Sequence, residues 1–179
     1  MKTALLLIDV QVGLMDYFPV HNKDVVLANI NELLAKARKA DLPVLYMQHD
    51  GLAGHTLEVG TAGWEIHPSI SPRAGEQVIR KQSCSSFYQT SLEQELLDRS
   101  VEHVVIVGCM TEYCVDTACR HATMLGFVVT LASDAHTTID NELLSAMHII
   151  AHHNQALNGF SSGAHTVTVK PTSEIRFGA

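Results

Sequence analysis

The chain has 179 residues, 46% of them hydrophobic, and its 12 Lys and Arg against 19 Asp and Glu give a formal charge of -7. That length and apolar content predict one domain over residues 1–179 with a substantial buried core, and leave no room for a comfortable second one. The acidic balance and the lack of any basic run exclude nucleic acid as a partner, and the four cysteines lack CxxC spacing in a domain large enough to need no disulfide.

Met1-Lys2 leads straight into the apolar run Ala4 to Ile8, too brief for a signal segment or a membrane span, so a cytoplasmic protein with no membrane partner is expected. Thr3 to Ile8 reads as a first strand, with the carboxylate of Asp9 arriving at its end. Val25 to Ala40 reads as a helix, since Val26, Ile30, Leu33, Leu34 and Ala37 recur at spacings of three and four. Leu42 to Gln48 is a second strand, with Pro43 near its start where a missing donor matters least. From His49 to Gly75, glycines at 51, 54, 60, 63 and 75 and prolines at 68 and 72 predict a long irregular excursion over the strand ends. Gln77 to Arg80 is a short third strand, followed by Lys81 and the polar loop Gln82 to Ser86.

Ser91 to Leu97 reads as a helix with Leu92, Leu96 and Leu97 inward. Val104 to Val107 is apolar on both faces, as a strand buried in a parallel sheet must be, and Gly108 lets the backbone turn tightly. Thr111 is placed to cap the next helix, which puts Cys114 in a first turn where free N–H groups and the dipole favour a thiolate. Gly126 ends that helix. Phe127 to Ala132 is a fifth strand delivering Ser133-Asp134-Ala135-His136 to its end, Asn141 to Ala156 a further helix, and Thr166 to Val169 the last strand. This alternation predicts an α/β, Rossmann-like fold: a three-layer, doubly wound, six-stranded parallel sheet of order 3-2-1-4-5-6.

In such sheets ligands bind outside the carboxyl ends of the strands, where Asp9, Lys81 and Cys114 all lie. Strands one and four are neighbours at the switch point, and Lys81 must reach across strand two, a lateral span of roughly 10 Å at about 4.8 Å per strand. The string Asp9-Val10-Gln11, then Lys81 followed by Ser86-Phe87, then Gly108-x-x-Thr111-Glu112-Tyr113-Cys114-Val115 with Thr117-Ala118, resembles the isochorismatase-like cysteine hydrolases. Nicotinamidases and carbamoylsarcosine amidase belong to that family, and the resemblance covers nearly the whole chain.

The resemblance implies a catalytic triad of Asp9, Lys81 and Cys114, and a cis peptide between Cys109 and Met110 that directs the backbone N–H groups of Met110 and Cys114 to one oxyanion hole. A thiolate nucleophile beside a proton-shuttling carboxylate would cleave a non-peptide C–N bond of a small amide, carbamoyl or lactam through a thioester. Isochorismate-cleaving members often lack the cysteine, so its presence favours C–N cleavage over the alternative of ether hydrolysis. Gln11, Trp64, Phe87 and Tyr113 are expected around the small-molecule substrate, and a homo-oligomer, dimer or tetramer, is implied by the same resemblance.

Other constellations compete. Gly159-Phe160-Ser161-Ser162-Gly163 matches G-x-S-x-G, but between helix and strand rather than strand and helix. Eleven histidines include His49, His55 and His67 around Asp50, yet Asp50 is followed by Gly51 and Leu52 where nicotinamidases carry an Asp-x-His metal pair. No metal or other cofactor is therefore expected. Cys114 with His136 and Asp134 would make a papain-like set. A non-catalytic Rossmann-like binding domain would need a phosphate-cradling glycine loop where Asp-Val-Gln stands, and a redox pair of Cys109 and Cys114 lacks CxxC.

Overall fold

The computed structural model describes residues 1–177. Strands and helices alternate as β1 (Thr3–Ile8), α1 (Val12–Met15), α2 (Lys23–Lys39), β2 (Val44–His49), β3 (Gln77–Lys81), α3 (Leu92–Asp98), β4 (His103–Cys109), α4 (Asp116–Met124), β5 (Val128–Thr137), α5 (Ala146–Leu157), β6 (Ser161–Ser162) and β7 (His165–Lys170). They form a seven-stranded sheet of order β3-β2-β1-β4-β5-β7-β6. The first six positions repeat the expected order with every pair parallel, and the two-residue β6, antiparallel to β7, is an unanticipated edge. Gly159 and Gly163, at φ +87 and +59, fold Phe160-Ser161-Ser162 back on β7, so the G-x-S-x-G string is a hairpin.

Side chains of β1 divide between two cores. Ala4, Leu6 and Ile8 pack with Leu92 and Leu96 of α3 and Ala118, Cys119 and Ala122 of α4, while Leu5 and Leu7 pack with Val26, Ile30, Leu33 and Leu34 of α2. Helices cover both faces, which is why the strand is apolar without alternation. Helix α2 buries the stripe its spacing predicts, and Asp24 in its first turn and Lys36, Arg38 and Lys39 in its last complement the dipole.

Three boundaries differ from the expected ones for local reasons. Helix α3 buries only Leu92 and Leu96, and Leu97 turns outward, 54% exposed. Helix α5 starts at Ala146 because the Asn141 side chain accepts from the N–H groups of Leu143 and Leu144, a turn that competes with helix, and Ser145 then caps the true start. Strand β5 runs on to Thr137 because a bulge shifts its register: Leu131 pairs with Ile106, and pairing resumes with His136 opposite Gly108. Among the described residues, no helix is long and apolar enough to cross a membrane.

Candidate active site

Three strand ends meet at the switch point, those of the neighbours β1 and β4 and that of β3 from across β2. At the end of β1, Asp9 adopts the left-handed conformation, φ +50, which Asp tolerates better than most residues. Its N–H donates to Met47 O, and its carbonyl accepts from Gln11 N–H at 2.8 Å and from the Cys109 thiol at 3.1 Å. At the end of β4, Gly108 has φ +125, and a side chain there would fall on the backbone of Ile8 in β1. The Cys109–Met110 peptide is cis, as the resemblance implies.

Thr111–Val115 then makes one π-helical turn before α4 begins. This departs from the expected Thr111-capped α-helix: the Thr111 hydroxyl is spent on His136, and Cys114 sits within the π turn. The Met110 carbonyl accepts from the N–H groups of Tyr113 and Val115 and passes over that of Cys114 between them.

Lys81, at the end of β3, closes the span across β2. Its ammonium lies 2.6 Å from Asp9 Oδ2 and 3.3 Å from Cys114 Sγ, and donates to the Ser83 carbonyl at 2.9 Å. The Lys81 side chain is wholly buried and that of Asp9 nearly so, while Cys114 remains partly exposed. Lys81 and Asp9 form a buried ion pair, and the Cys114 thiol lies within hydrogen-bonding reach of the same carboxylate. Asp9 is therefore a buried carboxylate whose charge is compensated by Lys81.

Burial raises the Asp9 carboxyl above its ordinary value, against the pull of Lys81. Burial likewise lifts the Cys114 thiol far above its usual range, and the Asp9 carboxylate adds to this while Lys81 opposes it. Burial would lower the Lys81 ammonium, but the Asp9 carboxylate and, once it is ionised, the Cys114 thiolate overcome it and raise the group instead. The expectation that Cys114 ionises easily is thus corrected: burial, with the Asp9 carboxylate adding to it, makes the thiol harder to ionise.

The expected lining residues sort differently. Gln11 is fully buried, its amide nitrogen donating to the carbonyls of His49 and Trp64 at 3.1 and 2.7 Å and its oxygen accepting from His49 N–H at 2.8 Å, so it braces the long excursion with no donor left for a ligand. Phe87 is buried in the core, against the rings of Phe127 and His121. Tyr113 is 58% exposed on the π turn beside Cys114. Trp64 donates from Nε1 to Asp50 at 2.9 Å and carries the Arg80 guanidinium over its ring at 5.1 Å.

Arg80 and Asp50 form the feature the sequence did not suggest. Arg80 Nε donates to both oxygens of Asp50 at 2.9 and 2.8 Å, and the pair borders a cavity of about 360 Å³ shared with Lys81, Gln82, Ser83, Tyr88 and Gln89. A charge on an edge strand reads as solvated, and nothing local in the sequence marks Arg80 as a partner for a carboxylate thirty residues away. The Ser83 carbonyl that receives Lys81 was equally invisible, being backbone.

The competing constellations come apart. His136 is buried, with Nδ1 accepting from the Thr111 hydroxyl at 2.9 Å and Nε2 donating to Asn154 Oδ1 at 3.0 Å, and Asp134 accepts from Thr172, so neither serves Cys114 in a papain-like set. Asp50 is occupied by Arg80 and Trp64, and His55 Nδ1 accepts from Leu57 N–H. Among the described residues, no three His, Cys, Asp or Glu side chains gather as a metal site would require.

Residues 3–170 match the Isochorismatase domain family. The uncharacterized isochorismatase family protein YddQ of Bacillus subtilis is 35% identical over 170 residues, covering 89% of this chain and 93% of its own. A streptothricin hydrolase of Streptomyces noursei is 36% identical over 138 residues, covering 76% of this chain but 55% of its own, so the chain spans about half of that relative. The crystal structure of an isochorismatase from Pseudomonas putida KT2440 superposes with a TM-score of 0.89 at 26% identity, covering 97% of this chain and 90% of that one.

Proposed function

The chain belongs to the isochorismatase family, and from that premise we propose that it hydrolyses a C–N bond of a small amide, carbamoyl or lactam with Cys114 as nucleophile. One observation carries the reading: a single buried ammonium, Lys81 at the end of β3, touches both a carboxylate from the end of β1 and a thiol from the π turn after β4. A buried lysine whose only task was structural would need one of these partners, not both.

In the proposed sequence, Asp9 takes the Cys114 proton as the sulfur attacks the substrate carbonyl carbon. The oxyanion that forms is received by the backbone N–H groups of Met110 and Cys114. As the tetrahedral intermediate collapses, the C–N bond breaks and Asp9 gives its proton to the departing nitrogen, leaving a thioester. Water then attacks with Asp9 as base, the C–S bond breaks, and the carboxylic or carbamic acid leaves. Lys81 keeps a positive charge beside whichever of Asp9 and Cys114 is anionic at each stage, so the burial that would otherwise penalise either anion is offset throughout. Vinyl ether hydrolysis, the alternative within the family, passes through no acyl intermediate and gives the thiol nothing to do.

The test is ammonia or amine release from a panel of small amides, carbamoyl compounds and lactams, with Cys114→Ala as control. Turnover of a panel member that Cys114→Ala abolishes while the circular dichroism spectrum is unchanged supports the reading. Undiminished hydrolysis by the purified Cys114→Ala variant removes it.

A further inference from the structure

Strand β2 lies between β1 and β3, so its last residue, His49, stands between the two strand ends that carry Asp9 and Lys81. The register pairs His49 with Lys81, and the next N–H, that of Asp50, donates to the Lys81 carbonyl at 2.8 Å. Along β2, Met47 packs in the core that Cys114 borders, Gln48 turns its amide to the Trp64 carbonyl, and the alternation of the strand returns His49 to the Cys114 face. Ile79 lies in the same core, so Lys81, two residues further along β3, shares that face. The Lys81 ammonium therefore crosses β2 on this face to reach Asp9 Oδ2, and the β2 side chain at that level is His49.

The ring is held in place but bonded to nothing. The Gln11 amide grips both the N–H and the carbonyl of His49, and the ring lies 5.9 Å, centroid to centroid, from that of His55, which is itself fixed by the bond from Leu57 N–H to its Nδ1. Among the described residues neither ring nitrogen of His49 has a hydrogen-bond partner, and the residue is only partly buried, as Cys114 is. Burial, helped by Lys81 and His55, holds the ring below its ordinary 6.5 against the pull of Asp9 and Asp50. His49 is thus neutral near pH 7, and one of its ring nitrogens accepts.

The reaction has room for such an acceptor. Lys81 and the N–H groups of the oxyanion hole only donate, and Asp9 is the single acceptor in the steps above. The nitrogen of a primary amide, a carbamoyl group or an N–H lactam bears a hydrogen besides the one Asp9 supplies, and attacking water has two, of which Asp9 takes one. We infer that His49 is a further catalytic residue, whose ring nitrogen accepts a hydrogen bond first from the departing nitrogen and then from the attacking water, beside Asp9. No proton passes to it: Asp9 gives one to nitrogen and takes one from water as before, and His49 fixes the direction in which each faces the acyl carbon. The inference rests on the proposed function in taking Cys114 as the acylated residue, and it narrows the substrates to those whose scissile nitrogen bears hydrogen.

The experiment acylates Cys114 with p-nitrophenyl acetate, whose leaving group carries no N–H, so that His49 is silent in thioester formation and acts only when water removes the acetyl group. Wild type, His49→Phe, His49→Asn and His49→Gln are compared by p-nitrophenolate release in the first turnover and by the lifetime of the acetyl group on the Cys114 peptide, read by mass, with Cys114→Ala as the blank. First-turnover rates are expected to be equal in wild type and His49→Phe, while the acetyl lifetime grows about tenfold or more in His49→Phe, the effect of one lost hydrogen bond. At least one of His49→Asn and His49→Gln, whose amides accept where a phenyl ring does not, is expected to recover part of that loss. An unchanged lifetime in His49→Phe, an equal slowing of both steps, or His49→Asn and His49→Gln as slow as His49→Phe would overturn the inference, while acetylation of Cys114 leaves the function standing. A wild type that gains no acetyl group on Cys114 would remove the function, and this inference with it.

Discussion

Acid should unfold this protein partly through His136, and the size of the effect follows from how that ring is held. It is fully buried where β5 meets the π turn, accepting from Thr111 and donating to Asn154, with His153 and Asp134 the nearest charged neighbours. Burial pushes its pKa down from 6.5 to about 4, with the Asn154 bond and Asp134 resisting and His153 assisting. Between these values the unfolded chain binds a proton that the folded one refuses, so stability must rise with pH across that window and fall as pH drops from about 6.5 to about 4. A gap of about 2.5 pH units at about 1.36 kcal/mol each gives a loss of about 3 kcal/mol over the window. The assay is urea unfolding at several pH values for wild type and His136→Gln, compared by slope so that the variant's own stability cancels. Wild type should lose about 3 kcal/mol more than the variant on going to pH 4, and parallel curves would refute the reasoning.

Lys81→Met should cost about 3–5 kcal/mol of unfolding free energy, because it strands the Asp9 carboxylate in the core, and adding Asp9→Asn should recover much of that; simple additivity in the double-mutant cycle would show that the two charges do not depend on each other. Gly108→Ala puts a Cβ onto the Ile8 carbonyl oxygen and 2.7 Å from Ile8 N, at φ +125. Overpacking and left-handed strain together should cost about 4 kcal/mol or more, and a soluble variant with an unshifted urea midpoint would contradict that close approach of β1 and β4. Gln11→Leu should cost about 3 kcal/mol by leaving the N–H and carbonyl of His49 unpaired, while the Trp64 carbonyl keeps only its bond from Gln48. Proteolysis within the stretch from His49 to Gly75 should speed up accordingly, and an unchanged cleavage rate would show that the brace is dispensable.

How much of this was legible in the sequence depended on whether the signal was periodic or long-range. The β1 and β4 runs and the α2 stripe are repeated local patterns, so sheet order and both cores could be read from them. So could the clustering of Asp9, Lys81 and Cys114, because Asp9 and Lys81 stand at the ends of recognisable strands and Cys114 in the turn beyond a third. What failed was decided by single polar side chains choosing among partners. Thr111 could cap a helix or bond His136, and took the second, which leaves Cys114 in a π turn. Asn141 could open a helix or form a turn, and took the turn. Gln11 and Phe87 sit beside residues that do face the site, so proximity along the chain suggested a lining role, yet one is consumed by backbone bonds and the other by the core.

The sulfur's resistance to ionisation bears on why the carboxylate is buried with it. A solvated aspartate would be too weak a base to take a thiol proton. Burying both raises both, and because Lys81 touches each, moving the proton from Cys114 to Asp9 relocates a negative charge around a fixed ammonium instead of creating one in the core. The energetic difference between the two proton positions is then set by the gap between two raised acids rather than by the full cost of either anion in a dry site. On the proposed mechanism the acceptor nearest the Cys114 proton is then the Asp9 carboxylate, already paired with Lys81.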